Sequence, residues 1–432
     1  MISDVLIAGG GTAGAAAARA LALRGLSVTL IERRPLHEAG ARWVNGVPAW
    51  AFEAAGLSQP EGDERVGEHE VFHMVAGFDG PKLRVPARGL LDVDMRRLGA
   101  RLLKEAVAAG ARVEGGLTLR GYREEADGVV AETDAGPRRG RFLIEARGLA
   151  AEGPRSDRRS LCAAAQEVRA LRDEAAAARF VESRGAKVGE ALCFTCVAGG
   201  FSVVNVRVEL HPQPLVSLLT GSVPAEGAPS GRVLLDRFVA ANPWIGPRLY
   251  GGARAIPLHA PRALLHEGRV LRLGDSAGQV FAVHGSGTAA GLIGGRMLAD
   301  ILAAGGDGLA WTRAWQQAHG GLFAAAAVFA MASRSFTTAD LARLIGRGLM
   351  SPALATPGLL QRPMKPPPAA LPGLALGALR APELAARLAP TLLQMERLEW
   401  HHRRVPDEPA ALTAWAAARH RLLGAAAPPL AG

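Results

Sequence analysis

Apolar and polar positions change period several times along the 432 residues of the chain, and the changes mark out its elements. Val5-Leu6-Ile7-Ala8 is an unbroken apolar run, followed by Gly9-Gly10-Gly11 and an alanine-rich stretch with apolar positions at helical spacing. Val28 to Ile31 is a second short run, closed by Glu32. Short apolar runs bounded by turn residues read as strands buried on both faces, so the chain opens strand, glycine turn, helix, strand. Weak alternation from about Gly67 to Pro86 predicts strands of a second sheet, and Asp94 to Ala109 a helix. Gly110 to Glu114, Gly128 to Thr133 and Arg141 to Ala146 read as strands, and Leu161 to Ser183, polar and alanine-rich, mainly as helix.

Ala191 to Leu210 predicts a hairpin turning at Gly199-Gly200, Gln213 to Ser222 another strand, and Val233 to Ala241 a helix. Arg269 to Leu273 is again strand-like and leads through glycines into a helix ending at Leu302. Leu309 to Ala332, Thr338 to Gly346, Ala381 to Arg403 and Pro409 to Leu423 read as helices. Ser351 to Pro372, which contains Pro366-Pro367-Pro368, reads as an extended connection.

Two of these segments carry chemistry. In the first, Gly9 permits the bend, Gly11 lets backbone approach a pyrophosphate, and Gly14 lets the helix pack close to the sheet. The helix N-terminus, opening at Thr12 and Ala13, favours an anion, and Glu32 stands where a carboxylate bonds ribose hydroxyls, with Arg33 next to it. By itself this clamp admits NAD or FAD. In the second, a strand delivers Asp275 at its carboxyl end, and the glycines from Gly285 to Gly291 open a helix whose N-terminus, at Gly287 and Thr288, can meet the pyrimidine edge of a flavin. The loop Gly40 to Gly46, with Arg42, Val44 and Asn45, is placed to line that ring. His284, immediately before the second turn, is the first candidate proton acceptor, and His73, on a strand of the expected substrate sheet, the second.

Composition narrows the picture further. The net charge is +10, and only four of the 50 basic residues are lysines (Lys82, Lys104, Lys187, Lys365), which gives a field that attracts an acidic protein or an anionic metabolite. Basic runs of five, zinc-finger spacing and RNP-like aromatics are missing, so no nucleic acid is expected. Cys193 and Cys196 sit in an apolar strand-like run and read as buried free thiols, with no metal site expected. No apolar stretch reaches the roughly 18 to 20 residues of a membrane span, and with Val5 already in a strand no secretory leader fits, so a cytoplasmic protein is expected.

Together the two motifs resemble the FAD-dependent group A monooxygenases, the p-hydroxybenzoate hydroxylase-like family, with flavin-dependent halogenases and geranylgeranyl reductases, over roughly residues 1 to 330. The resemblance implies a Rossmann-type FAD-binding α/β fold, α+β in part. The FAD-binding domain would be built from residues 1–66, 90–160 and 268–325, with an interleaved mixed-sheet substrate domain from 67–89 and 161–267. A helical C-terminal region would follow over 326–432, with its proline-rich connection at 351–372. It implies that Gly9, Gly11, Gly14, Glu32 and Asp275 hold FAD, with Arg42 near the pyrophosphate. Two positions depart from the family: Ala282 replaces a proline, and Ile144-Glu145-Ala146-Arg147-Gly148 replaces an Asp-Gly motif, which argues against NAD(P)H binding in the family's usual way. The reductant is then a transiently visiting reduced nicotinamide or a partner reductase.

The activity implied is hydroxylation of an aromatic substrate by molecular oxygen through a flavin hydroperoxide. Layout, length and the helical tail are similar to flavoproteins that mature tryptophylquinone cofactors. That likeness implies a tryptophan of an acidic partner as substrate, such as the small subunit of a quinoprotein amine dehydrogenase. Halogenation or small-molecule hydroxylation, prenyl reduction, and a flavoprotein scaffold without catalysis remain alternatives. A halogenase needs a lysine beside the flavin, for which Lys82 is the candidate, and lacks here its W-x-W-x-I-P motif.

Overall fold

The computed structural model describes residues 2–151 and 160–428. The expected domain ranges 1–66, 90–160 and 326–432 therefore include residues (Met1, 152–159 and 429–432) that lie outside the described ones.

Two mixed sheets form the body. In chain order the strands are β1 (Ile2–Ala8), β2 (Val28–Glu32), β3 (Val44–Pro48), β4 (Arg65–Ala76), β5 (Lys82–Asp94), β6 (Arg112–Gly115), β7 (Leu119–Glu125) and β8 (Gly128–Thr133). Then come β9 (Arg138–Glu145), β10 (Leu161–Leu171), β11 (Ala191–Thr195), β12 (Ser202–Glu209), β13 (Leu215–Ser222), β14 (Ile245–Pro257), β15 (His266–Glu267) and β16 (Val270–Arg272). The first sheet runs β15-β16-β9-β1-β2-β6, with β7 and β8 attached to β9; the second runs β14-β10-β13-β12-β11-β4-β5-β3.

The core of the first sheet is parallel: β1 pairs β2 on one side and β9 on the other. Val5, Leu6, Ile7 and Ala8 are each at most 1 % exposed, which is why that strand is apolar without alternation. Strand order reverses at β1, and this is the place where doubly wound sheets open a crevice at their carboxyl ends.

Over that crevice lie α1 (Thr12–Ala22) and a long helix that follows β16, Thr288–Ala303. They pack closely because their contact is made of small residues. A Cβ on Gly295 would stand 2.8 Å from the amide nitrogen of Ala17, and one on Gly291 would stand 2.9 Å from Cβ of Ala13. The helices between these two are α2 (Ala49–Ala54), α3 (Met95–Ala108), α4 (Glu174–Glu182) and α5 (Gly231–Ala241), so Thr288–Ala303 is α6. Asp94 caps α3, accepting from the amide of Arg96 at 2.9 Å. The C-terminal part is helical: α7 (Gly308–Trp315), α8 (Gly321–Ser333), α9 (Thr338–Gly346), α10 (Pro352–Leu359), α11 (Leu371–Arg380), α12 (Pro382–His402) and α13 (Pro409–Leu423). Among the described residues no single helix is long and apolar enough to cross a membrane.

Three differences from the sequence reading have physical causes. Residues 161–183 are not mainly helix: 161–171 form β10, hydrogen-bonded to β13 on one side and β14 on the other, and only α4 is helical. Pairing on both edges overrides the helical preference of its alanines. Strand β14, rich in glycine and arginine, carries no apolar alternation to announce it. In the proline-rich stretch, Pro352 sits at the first position of α10, where its missing N–H costs nothing, and Thr356 Oγ1 donates to the Pro86 carbonyl at 3.1 Å. Cys162, Cys193 and Cys196 are free and buried; burial pushes the Cys193 and Cys196 thiols up to about 11.

Candidate active site

A cavity of about 810 Å³ lies between the two sheets at the carboxyl ends of β1 and β9. Of the residues singled out in the sequence, Gly9, Gly11, Thr12, Ala13, Glu32, Arg33, Arg42, Asn45, Asp275, His284, Gly285, Gly287 and Thr288 line it. Gly14, Val44 and His73 do not.

The first end is the glycine turn. Gly9 has φ +107, and a Cβ there would lie 2.5 Å from the Ala146 carbonyl oxygen; a Cβ on Gly14 would overlap the Gly9 carbonyl oxygen. Neither position admits a side chain. Gly11 caps α1 without a side-chain bond, and no acid stands in the first turn, so the free N–H groups of the helix face the cavity. Glu32, 8 % exposed, accepts from the amide of Gly10 at 2.7 Å and from that of Arg34 at 3.0 Å, and the rest of its carboxylate is left for ribose hydroxyls. Arg33, Arg34, Arg42, Arg147 and Arg254 line the same space against the acids Glu32 and Asp275, an excess of positive charge suited to a pyrophosphate.

The other end is the turn after β16. Gln279 Oε1 accepts from the Gly274 amide at 2.7 Å, and Ser276 Oγ donates to the Glu145 carbonyl at 2.5 Å, which ties the Asp275 turn to β9. Asp275 Oδ2 accepts from Arg254 Nη2 at 3.0 Å. Gly287 caps α6, again without a side-chain bond or a first-turn acid, and Thr288 Oγ1 accepts from Asn45 Nδ2 at 3.3 Å. Two helix N-termini thus open on one cavity. A long ligand with an anionic middle and a flat polar end fits between them, and these residues fit FAD in that way.

The second sheet supplies the other wall: Cys162, Ala164 and Gln166 from β10, Phe201, Val203, Leu219 and Gly221 from the hairpin strands and their turn, and Ala253 and Ala255 from β14. Small and apolar residues dominate this lobe. Among its polar residues, Thr220 Oγ1 donates to the Gly231 carbonyl at 2.6 Å, while Gln166 Oε1 and Ser286 Oγ are buried without a hydrogen-bond partner. The orientation of Gln166 is set by its Nε2, which donates to the Val44 carbonyl at 2.6 Å. Val44 therefore touches the site through its backbone alone. His284 lines the junction of the two lobes, its ring 5.1 Å from that of Phe281. His284 is exposed where it lines the cavity, while the protein packed around it lowers its imidazole below the usual 6.5, so the neutral form prevails at pH 7.

His73 lies elsewhere. It is 2 % exposed, and its Nε2 stands 2.8 Å from Glu190 Oε2, on the sheet face that packs against α4 and α5 rather than the cavity. Alternation along β4 sends it to the wrong side for substrate contact. Lys82 Nζ donates to the carbonyls of Arg184, at 2.8 Å, and Gly185, at 2.5 Å, and no lysine lines the cavity. Gln166 and Arg254 escaped the sequence reading because one lay in a segment read as helix and the other on a strand without alternation.

Residues 4–59 match the family described as FAD dependent oxidoreductase. The chain is 25% identical over 319 residues to digeranylgeranylglycerophospholipid reductase 1 of Methanothermobacter thermautotrophicus, covering 70% of this chain and 77% of that one. Its fold is similar to that of a geranylgeranyl bacteriochlorophyll reductase-like protein from Thermoplasma acidophilum (TM-score 0.71, 17% identity, 90% of this chain and 99% of that one). It is also similar to halogenase PltM in complex with phloroglucinol and FAD (TM-score 0.63, 14% identity, 98% and 96%). The strand-turn-helix clamp is thus similar to that of the FAD dependent oxidoreductase family, and the chain shares the fold of the reductase-like and halogenase structures.

Proposed function

We propose that the chain is a monooxygenase that hydroxylates an electron-rich aromatic ring bearing an N–H or O–H group, in its most specific form a tryptophan side chain of an acidic partner protein. The observation that carries the reading is His284, neutral at pH 7, lining the same cavity as a lobe of mainly small and apolar side chains. The small apolar walls exclude water and hold the ring flat. His284, neutral at pH 7, is placed to take the ring proton as oxygen enters.

When bound, FAD supplies the redox centre. A reduced nicotinamide or a partner reductase supplies two electrons; one atom of molecular oxygen enters the ring and the other leaves as water. The net charge of +10 and exposed apolar side chains on α11 and α12 (Leu379 79%, Leu393 61%, Trp400 53%) support a protein as the substrate carrier.

Prenyl reduction is a second reading, favoured by the similarity to the archaeal reductase and by the apolar lobe. The test is to mix holoprotein in air with a reductant and either an acidic indole-bearing partner protein or a polyprenyl lipid, and to read masses. A gain of one or two oxygen atoms on the aromatic substrate supports the proposal. A gain of hydrogen alone on the lipid replaces it with the second reading.

A further inference from the structure

Helix α12 has two apolar faces, and the fold uses one. Leu384, Met395 and Leu398 are buried, the last two packed with Ala324, Ala325 and Val328 of α8. On the other side Leu393 is 61% exposed and Trp400 53%, two helical turns apart, with Leu392 (51%) beside them. A helix whose inner stripe already fills the core has no structural need of a second one. Helix α11, just before it, repeats the pattern. Its buried residue is Gly377, where a Cβ would stand 2.8 Å from the Arg347 carbonyl oxygen, so backbone contact holds the helix down and leaves Leu371, Leu376 and Leu379 exposed.

We infer that the outer face of α11 and α12 is a docking surface for an acidic protein, one that sets a carboxylate within an apolar patch of its own. This rests on the reading above that the substrate is carried by such a partner, and adds where the carrier is held.

Charge decides the sign of the partner. The three acids of α12 are already engaged: Glu383 pairs with Arg343, and Glu396 and Glu399 pair with Lys365 at 3.3 Å and 2.8 Å. Arg380, Arg397 and Arg403 are exposed and pair with no acid among the described residues. The Arg404 guanidinium lies 3.5 Å from the centre of the Trp400 ring, which holds that indole in place before a partner arrives. Exposed Leu and Trp beside unpaired Arg is the composition of an interface core.

The position of Arg397 favours a protein over a lipid surface. It stands four residues after Leu393 and three before Trp400, on the same face of the helix. A helix lying in a bilayer surface keeps its charges off the apolar face. Here a guanidinium sits inside that face. A protein can place a carboxylate against it, and a bidentate pair there fixes register as well as affinity.

The test follows fluorescence anisotropy of two labelled helical peptides titrated with holoprotein; both carry one leucine stripe, flanked in one by glutamates and in the other by lysines at the same places. The glutamate peptide should bind at least tenfold more tightly than the lysine peptide, and about tenfold more weakly to Trp400→Ser and to Leu393→Ser, with melting temperature and FAD content unchanged. Arg397→Glu should invert the preference between the peptides, an exchange that misfolding cannot produce. Equal binding of the two peptides, indifference to all three substitutions, or binding to phosphatidylserine vesicles in preference to the glutamate peptide overturns the inference. Selective peptide binding with no oxygen gained by an acidic partner protein defeats the monooxygenase reading and leaves the docking face. Oxygen transfer to such a partner that is indifferent to Trp400→Ser and Arg397→Glu does the reverse.

Discussion

Arg254 Nη2 reaches across from the edge strand of the second sheet to Asp275 Oδ2, 3.0 Å away, on the turn that closes the first. The contact passes over Gly148, where a Cβ would stand 2.9 Å from the same guanidinium. The side chains are 39% and 21% exposed, so the pair itself contributes at most about 1 kcal/mol to stability. Its importance lies in orienting a carboxylate that lines the cavity.

Substitution of the two partners should therefore separate. Asp275→Ala is expected to weaken FAD about 10- to 100-fold, or roughly 1.4–2.8 kcal/mol, because a charged acceptor for hydroxyls is lost. Arg254→Ala should change FAD affinity less than tenfold and leave the melting temperature within a few degrees. Quenching of flavin fluorescence on titration into apoprotein measures both.

Gly14→Ala should be far more severe than its single methyl suggests. The new Cβ overlaps the Gly9 carbonyl oxygen, and the turn and helix must separate to admit it. The expected cost is about 1–3 kcal/mol with substoichiometric FAD. A melting curve together with the flavin-to-protein absorbance ratio checks it; full FAD occupancy at wild-type stability would falsify the close-packed geometry of the turn.

His284→Ala should retain FAD and lose about 10²- to 10⁴-fold in coupled product formation, the usual range for a positioned proton acceptor. With its imidazole lowered below the usual 6.5, the histidine stays mainly neutral, so the wild-type rate should fall little between pH 8 and pH 7 on its account. Unchanged coupled turnover in the variant would remove His284 from the reaction.

Acid lability has a separate origin. Arg419, 1 % exposed, donates through Nε to His402 Nε2 at 3.1 Å, and His402 Nδ1 stands 3.2 Å from the Gln316 carbonyl, so Nδ1 carries the proton. Burial first, then the adjacent Arg419, pushes His402 down to about 2 from its ordinary 6.5. The folded form refuses a proton that the unfolded chain takes up, so this contribution is complete above pH 6.5 and is lost as pH falls below it, by about 1.4 kcal/mol per pH unit. His402→Gln, which keeps an acceptor for Arg419, should flatten the acid side of a denaturation series run from pH 7 to pH 5.

The glycine-turn end of the cavity was legible because its residues obey local rules. Gly9, Gly11, Gly14 and Glu32 sit at the spacing that one strand, one turn and one helix impose, and Asp275 repeats the logic at another strand end. The substrate wall was not legible. Gln166 and Arg254 share one face of the sheet only because β10 and β14 pair in register, Gln166 opposite Gly252 and Ala164 opposite Arg254, and long-range pairing leaves no local period. His73 shows the converse error: the strand was recognised, but which face it turned to the cavity depended on what covered the other.

The glycine and alanine contact between α1 and α6 sets a length. Ala13 and Ala17 meet Gly291 and Gly295 with no room for another carbon, so the two helix starts cannot slide relative to each other. A flavin mononucleotide, lacking the adenylate half, can satisfy the α6 start only and leaves the α1 start and Glu32 to water. The contact works as a fixed gauge of the span between the two helix starts that open on the cavity, so a ligand long enough to reach both meets them at one set distance.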